Sequence, residues 1–107
     1  MISDERVEKS VKYMVETDEG FAMAKSYMVG LEKQEKTILG MAILNSEQSG
    51  QQAKEAEARN SEAYTKWRKD YEDAVFNFEI VRNKRNSETL VIDCWRSFNS
   101  NKKKGNI

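Results

Sequence analysis

Seven basic residues near the end of the chain, Arg82, Lys84, Arg85, Arg96, Lys102, Lys103 and Lys104, are interleaved with Trp95 and Phe98. Cations set between aromatic rings suit single-stranded nucleic acid, because phosphates meet the cations while bases stack on the rings. A plainer reading stands beside it. Trp95 falls on an apolar helical repeat and belongs to a core, and lysines close to a terminus solvate it.

The remaining chemistry is defined by what is missing. There is no histidine, which removes the commonest general base, the usual zinc or iron ligand and every Ser-His or Cys-His nucleophile. The single cysteine, Cys94, excludes a thiolate zinc site and an internal disulfide. Asp93 beside it gives a thiolate no help, so packing against Leu90 and Phe98 is the expected role. Gly20, Gly30, Gly40, Gly50 and Gly105 are too dispersed for a phosphate-cradling loop. A carboxylate-only magnesium site stays formally open, but no Glu-x-Lys or Asp-x-Lys pair supports it. We expect no catalytic residue, no metal site and no cofactor.

Such residues would have to be carried by helices. The chain of 107 residues suits one domain, and it contains no proline. Proline costs roughly 3 kcal/mol in a helix interior, so its absence lets helices run long. Charged residues make up 34% of the chain and hydrophobic ones 38%, a balance that fits long amphipathic helices when the apolar residues are periodic. They are. Val7, Val11 and Met14, then Phe21, Ala24, Met28, Leu31, Ile38 and Ala42, recur at helical spacing and predict a helical segment over about 3–46. Ser3 is its N-cap, with Asp4 and Glu5 in the first turn. Residues 16–20 are the weak point, where Thr17 could cap a new helix and Gly20 disfavours the old one. A break there, or a short helix followed by a longer one, is expected. Gly30 and Gly40 suggest close approach of another backbone.

Asn, Ser and Gly cluster over about 45–50 and predict a turn, with Ser49 and Gln52 spaced as a capping box. A long helix is then expected over about 50–99. Its seam is Tyr64, Trp67, Tyr71, Ala74, Phe78 and Val81, interrupted by Arg85 and Glu88 and resumed by Ile92 and Trp95. Residues 100–107 read as a solvated basic tail. The fold class is therefore all-α: a long antiparallel helical hairpin in a single domain.

Apolar residues also lie off the seam, among them Val15, Tyr27, Leu39, Ile43, Val75, Phe76, Ile80, Leu90 and Val91. Wide apolar faces pair hairpins into bundles, so a homodimer or higher oligomer is expected; the alternative is a monomeric three-helix bundle in which the first 15 residues fold back over the surplus. Residues 1–62 carry 8 basic and 12 acidic side chains and residues 63–107 carry 10 and 6. Opposite halves of an antiparallel hairpin attract in that arrangement. The lone cysteine, the charged beginning of the chain and the lack of a span of about 20 apolar residues point to the cytoplasm, with no membrane partner.

The stretch from Ser61-Glu62-Ala63-Tyr64 onward, with Val91-Ile92-Asp93-Cys94-Trp95-Arg96-Ser97-Phe98-Asn99 and the ending Lys104-Gly105-Asn106-Ile107, resembles the C-terminal half of small uncharacterised bacteriophage helical proteins. Those belong to gene clusters for DNA recombination and single-strand binding, and the resemblance spans roughly residues 30–107. It implies phage origin, a host-cell cytoplasmic setting and a role near DNA metabolism, and it brings no catalytic residues. The expected function is non-enzymatic: an accessory or adaptor protein, acting through contacts with other proteins. The alternatives are direct nucleic-acid binding through the basic aromatic end, or inhibition of a host defence enzyme. An adaptor's partner-facing surface would include Tyr13, Met23 and Tyr27 if these stay exposed.

Overall fold

The computed structural model describes residues 1–105 along the backbone and residues 1–102 with their side chains. Among the described residues it is all-helical: α1 spans Asp4–Leu44, α2 spans Gln51–Arg59 and α3 spans Glu62–Gly105.

α1 begins as its sequence dictates. The Ser3 hydroxyl accepts a hydrogen bond from the Arg6 amide at 3.1 Å, satisfying one of the first-turn donors, and Asp4 and Glu5 follow it. The expected break at 16–20 does not occur, because α1 runs unbroken through it. Thr17 does not cap; its hydroxyl bonds back to the Tyr13 carbonyl at 2.7 Å inside the helix. The backbone approach expected at Gly30 and Gly40 is also absent. A Cβ placed on Gly20, Gly30 or Gly40 meets nothing within 4 Å. Because α1 is one helix, the first 15 residues do not fold back as a separate segment.

The turn over 45–50 forms, but the Ser49 capping box does not. Gly50 occupies the N-cap of α2 at φ 94°, with no side-chain cap, a left-handed backbone that glycine adopts at no steric cost. Ser46 organises the loop instead, accepting from the Gln48 amide at 3.1 Å and donating to Glu57 at 2.7 Å.

The helix expected over 50–99 is two helices. The chain turns at Asn60 and Ser61, where the Ser61 hydroxyl donates to the Ala58 carbonyl at 2.6 Å and accepts from the Tyr64 amide at 3.2 Å. One side chain thus closes α2 and caps α3. The Asn60 side-chain amide also bonds the Ala56 carbonyl at 2.9 Å. At the other end, residues 100–105 of the expected tail are helical, while 106 and 107 lie outside the described residues.

The chain forms two compact units. Unit 1 comprises residues 1–22 and 79–107. Its contacts run from Asp4 with Trp95, through Arg6 with Glu88, to Asp18 with Arg85, so the two helical stretches are antiparallel. Unit 2 comprises residues 23–78. There Leu31 meets Trp67 and Glu35 meets Tyr64, again antiparallel, and α2 contributes the buried Ala58.

Candidate functional site

Unit 2 holds most of the core. Tyr64, Trp67, Ala74 and Phe78 are buried and Tyr71 is half-buried. The alternation of three and four residues puts them on one side of α3. Trp67 stacks on Tyr71, with ring centroids 5.4 Å apart and planes 7° from parallel, and tilts against Tyr64 at 5.3 Å. The polar tips of these rings find partners. The Trp67 indole donates to the Leu31 carbonyl at 2.7 Å. The Tyr64 hydroxyl donates to Glu35 at 2.9 Å, and this bond to a carboxylate raises the Tyr64 pKa by holding its proton.

Unit 1 closes along polar residues. Val81, Ile92 and Trp95 are half-buried, and α1 contributes the buried Val7 and the fully buried Ser10. Arg6 grips Glu88 through two parallel hydrogen bonds of 2.8 and 3.0 Å. Ser10 accepts from Arg6 at 2.6 Å and donates to Glu88 at 2.5 Å. The Arg6 and then the Ser10 hydrogen bonds lower the Glu88 pKa to about 2, because both stabilise the charged form. One turn away, Arg85 donates to the Met14 carbonyl at 3.0 Å, the Thr17 hydroxyl at 2.6 Å and Asp18 at 3.2 Å. Its guanidinium also lies 5.0 Å from the Phe21 ring centre. The interruption of the apolar repeat at Arg85 and Glu88 is therefore a set of specific bonds across the helices.

Several of the described basic residues near the end of the chain have partners within it. Arg85 is committed to α1, its side chain only 12% exposed. Arg82 pairs with Glu79 on its own helix, and Arg96 lies 4.0 Å from Asp93. The Lys84 ammonium sits 4.8 Å over the Tyr13 ring. Lys102 is exposed and lines a cleft with Trp95 and Asn99. Trp95 donates to Asp4 at 2.9 Å. Lys103 and Lys104 lie outside the described side chains.

Sequence periodicity missed Ser10. Val11 fits the apolar repeat, yet Val11 is 46% exposed while Ser10 is fully buried. The signal was Arg6 one turn before Ser10, facing an acidic interruption in the other helix. Cys94 is exposed, as are Leu90 and Phe98 on the same side of α3, so no core surrounds the thiol.

Several large apolar side chains lie on the surface. Val15, Met23, Tyr27, Phe76 and Leu90 are all at least 60% exposed. Unit 2 also has an open cleft of about 340 Å³ lined by Ile38, Met41, Ala42, Ala58 and Ala63. On its rim Ser46 is bonded to Glu57 and Ser61 to Ala58. Among the described residues, no group of three or more acidic or cysteine side chains is placed to hold a metal ion. No described helix is long and apolar enough to cross a membrane. No family model, no curated protein and no solved structure matches the chain.

Proposed function

We propose that this chain is a non-enzymatic accessory or adaptor protein that works as a dimer through protein–protein contacts, in a phage-type DNA-processing assembly. The observation that carries the reading is the number of large apolar side chains left on the surface of α1 and α3, including Met23, Tyr27, Phe76 and Leu90. Single exposed apolar residues are ordinary, but aromatic and methionine side chains in this number suit partner recognition. The resemblance of residues 30–107 to phage proteins of recombination clusters supplies the setting. The basic residues support direct nucleic-acid binding less well, since Arg85 is spent on α1 and Arg82 and Arg96 face acidic neighbours.

The test is titration of the full chain into a fluorescent single-stranded oligonucleotide over a range of salt, alongside affinity capture from cells. The reading predicts no salt-sensitive binding of the oligonucleotide, and a specific captured partner that is lost with Met23→Ser and Tyr27→Ser. Oligonucleotide binding that weakens steeply with salt and disappears with Lys102→Ala, Lys103→Ala and Lys104→Ala together overturns it.

A further inference from the structure

Within unit 1, α3 has a second repeat on its outer side. Ile80, Asn83, Ser87, Leu90 and Cys94 follow one another at spacings of three, four, three and four, and all five are exposed. Ile80 is 50% and Leu90 63% exposed. This is the spacing by which one helix presents a continuous seam to another. The inward seam of the same stretch already bonds α1 through Arg85, Glu88 and Trp95.

We infer that this outer seam binds a second copy of the chain, α3 against α3, parallel and in register. The inference rests on the reading of the protein as a dimer and assigns the face and its direction.

Two features select this occupant. The first is the polar centre of the seam. The Ser87 hydroxyl bonds back to the Asn83 carbonyl at 3.1 Å, and the Asn83 side-chain amide has no hydrogen-bond partner among the described residues. An apolar partner helix would strip water from Asn83 without replacing its bonds, which is costly. A second copy in parallel register sets Asn83 against Asn83, where amide donors and acceptors are complementary. A polar residue in such a seam is a known determinant of register.

The second feature is charge. Glu79 and Lys84 flank the seam on opposite sides and are five residues apart. That is the offset at which flanking residues meet across a parallel helix pair. Glu79 already holds Arg82, but a carboxylate has two oxygens and accepts more than one donor. Lys84 keeps N–H donors to spare while lying over Tyr13. Antiparallel pairing would bring Ile80 near Cys94 and leave Asn83 facing an apolar layer.

Cys94 makes the arrangement readable. In the parallel register it lies opposite its own copy. Diamide takes two electrons and two protons from two such thiols, forming one disulfide and the reduced hydrazine. The expected result for the full chain is a disulfide-linked dimer that forms efficiently even at dilution. With Cys94→Ser, Ile80→Cys restores the same self-crosslink. Leu90→Lys, at an exposed position, leaves the helicity of the folded chain unchanged and weakens the dimer roughly 100-fold, since two leucines lose their burial. Crosslinking only between Cys94 and the Ile80→Cys position shows an antiparallel pair and overturns the register. A dimer by mass that neither self-crosslinks nor responds to Leu90→Lys overturns this face while leaving the dimeric reading intact. A monomer at all concentrations overturns both.

Discussion

The stretches of α3 in unit 2 and unit 1 continue one helical repeat, yet they close against α1 by different chemistry. In unit 2 the repeat is Tyr64, Trp67, Tyr71, Ala74 and Phe78, and burial of ring surface does most of the holding. In unit 1 the equivalent positions include Arg85 and Glu88, which bond Arg6, Ser10, Met14, Thr17 and Asp18 across the pair. Burial of aromatic area is strong but tolerant of sliding, whereas hydrogen bonds to charged groups fix which residue lies opposite which. Unit 2 thus adds the adhesion of buried rings to the Tyr64–Glu35 and Trp67–Leu31 bonds that align it, whereas unit 1 relies mainly on bonds that set register.

The comparison breaks most visibly at Trp67. Trp67→Ala removes a buried ring and its bond to Leu31, and should cost about 3–5 kcal/mol by chemical denaturation. Trp95→Ala, at a half-buried position in unit 1, should cost about half as much. Equal losses at the two tryptophans would erase the distinction between the units.

Next comes the polar cluster. Glu88→Ala leaves the Ser10 hydroxyl only the Arg6 carbonyl as acceptor and Arg6 without its carboxylate, and should destabilise the chain by about 1–3 kcal/mol. Replacing the cluster together, with Arg6→Met, Ser10→Ala and Glu88→Leu, should restore stability to within about 1 kcal/mol, because apolar groups offset a desolvated ion pair. What should be lost is register, seen as broadened amide resonances in unit 1. A triple variant as unstable as Glu88→Ala would mean that the cluster provides adhesion after all.

Acid sharpens the same contrast. Glu88 is held at about 2 against an ordinary 4.5, so its folded form binds a proton less readily than its unfolded form. Its stabilisation is complete above the ordinary value and fades as pH falls towards 2. Unit 1 amides should therefore lose exchange protection in that window before unit 2 amides do, and Glu88→Gln should remove the difference.

The smallest expected effects are gains. Gly20 and Gly30 sit in the middle of α1 with open space where a Cβ would go, so Gly20→Ala and Gly30→Ala should each stabilise by about 1 kcal/mol. Thermal melts of the single variants would show this.

The seam of α3 was readable from the sequence because aromatic residues at spacings of three and four fall on one face of a helix and on no single face of a strand. The loop near Gly50 was readable because Asn, Ser and Gly cluster where the apolar repeat lapses. The break at Asn60 and Ser61 was harder. Alanines on both sides continue the helical pattern, and the Ser61 cap works through its own hydroxyl without the acidic third residue that marks a capping box. Thr17 and Gly20 misled in the other direction, since local propensity favours a break but α1 runs through both, with Thr17 bonded by Arg85 of the facing helix. Ser10 was invisible to an apolar count because its burial depends on a partner 78 residues away in sequence. Of the basic residues near the end of the chain, composition showed the charge but could not show that Arg85 points into the helix pair.

The most direct test of the account is the mass of the full chain in solution by light scattering, at low and high salt, with and without a short single-stranded oligonucleotide. The account predicts a dimer whose mass is unchanged by the oligonucleotide at either salt. A mass that rises on adding oligonucleotide and falls back at high salt would contradict it, and would make the basic end of the chain the working surface.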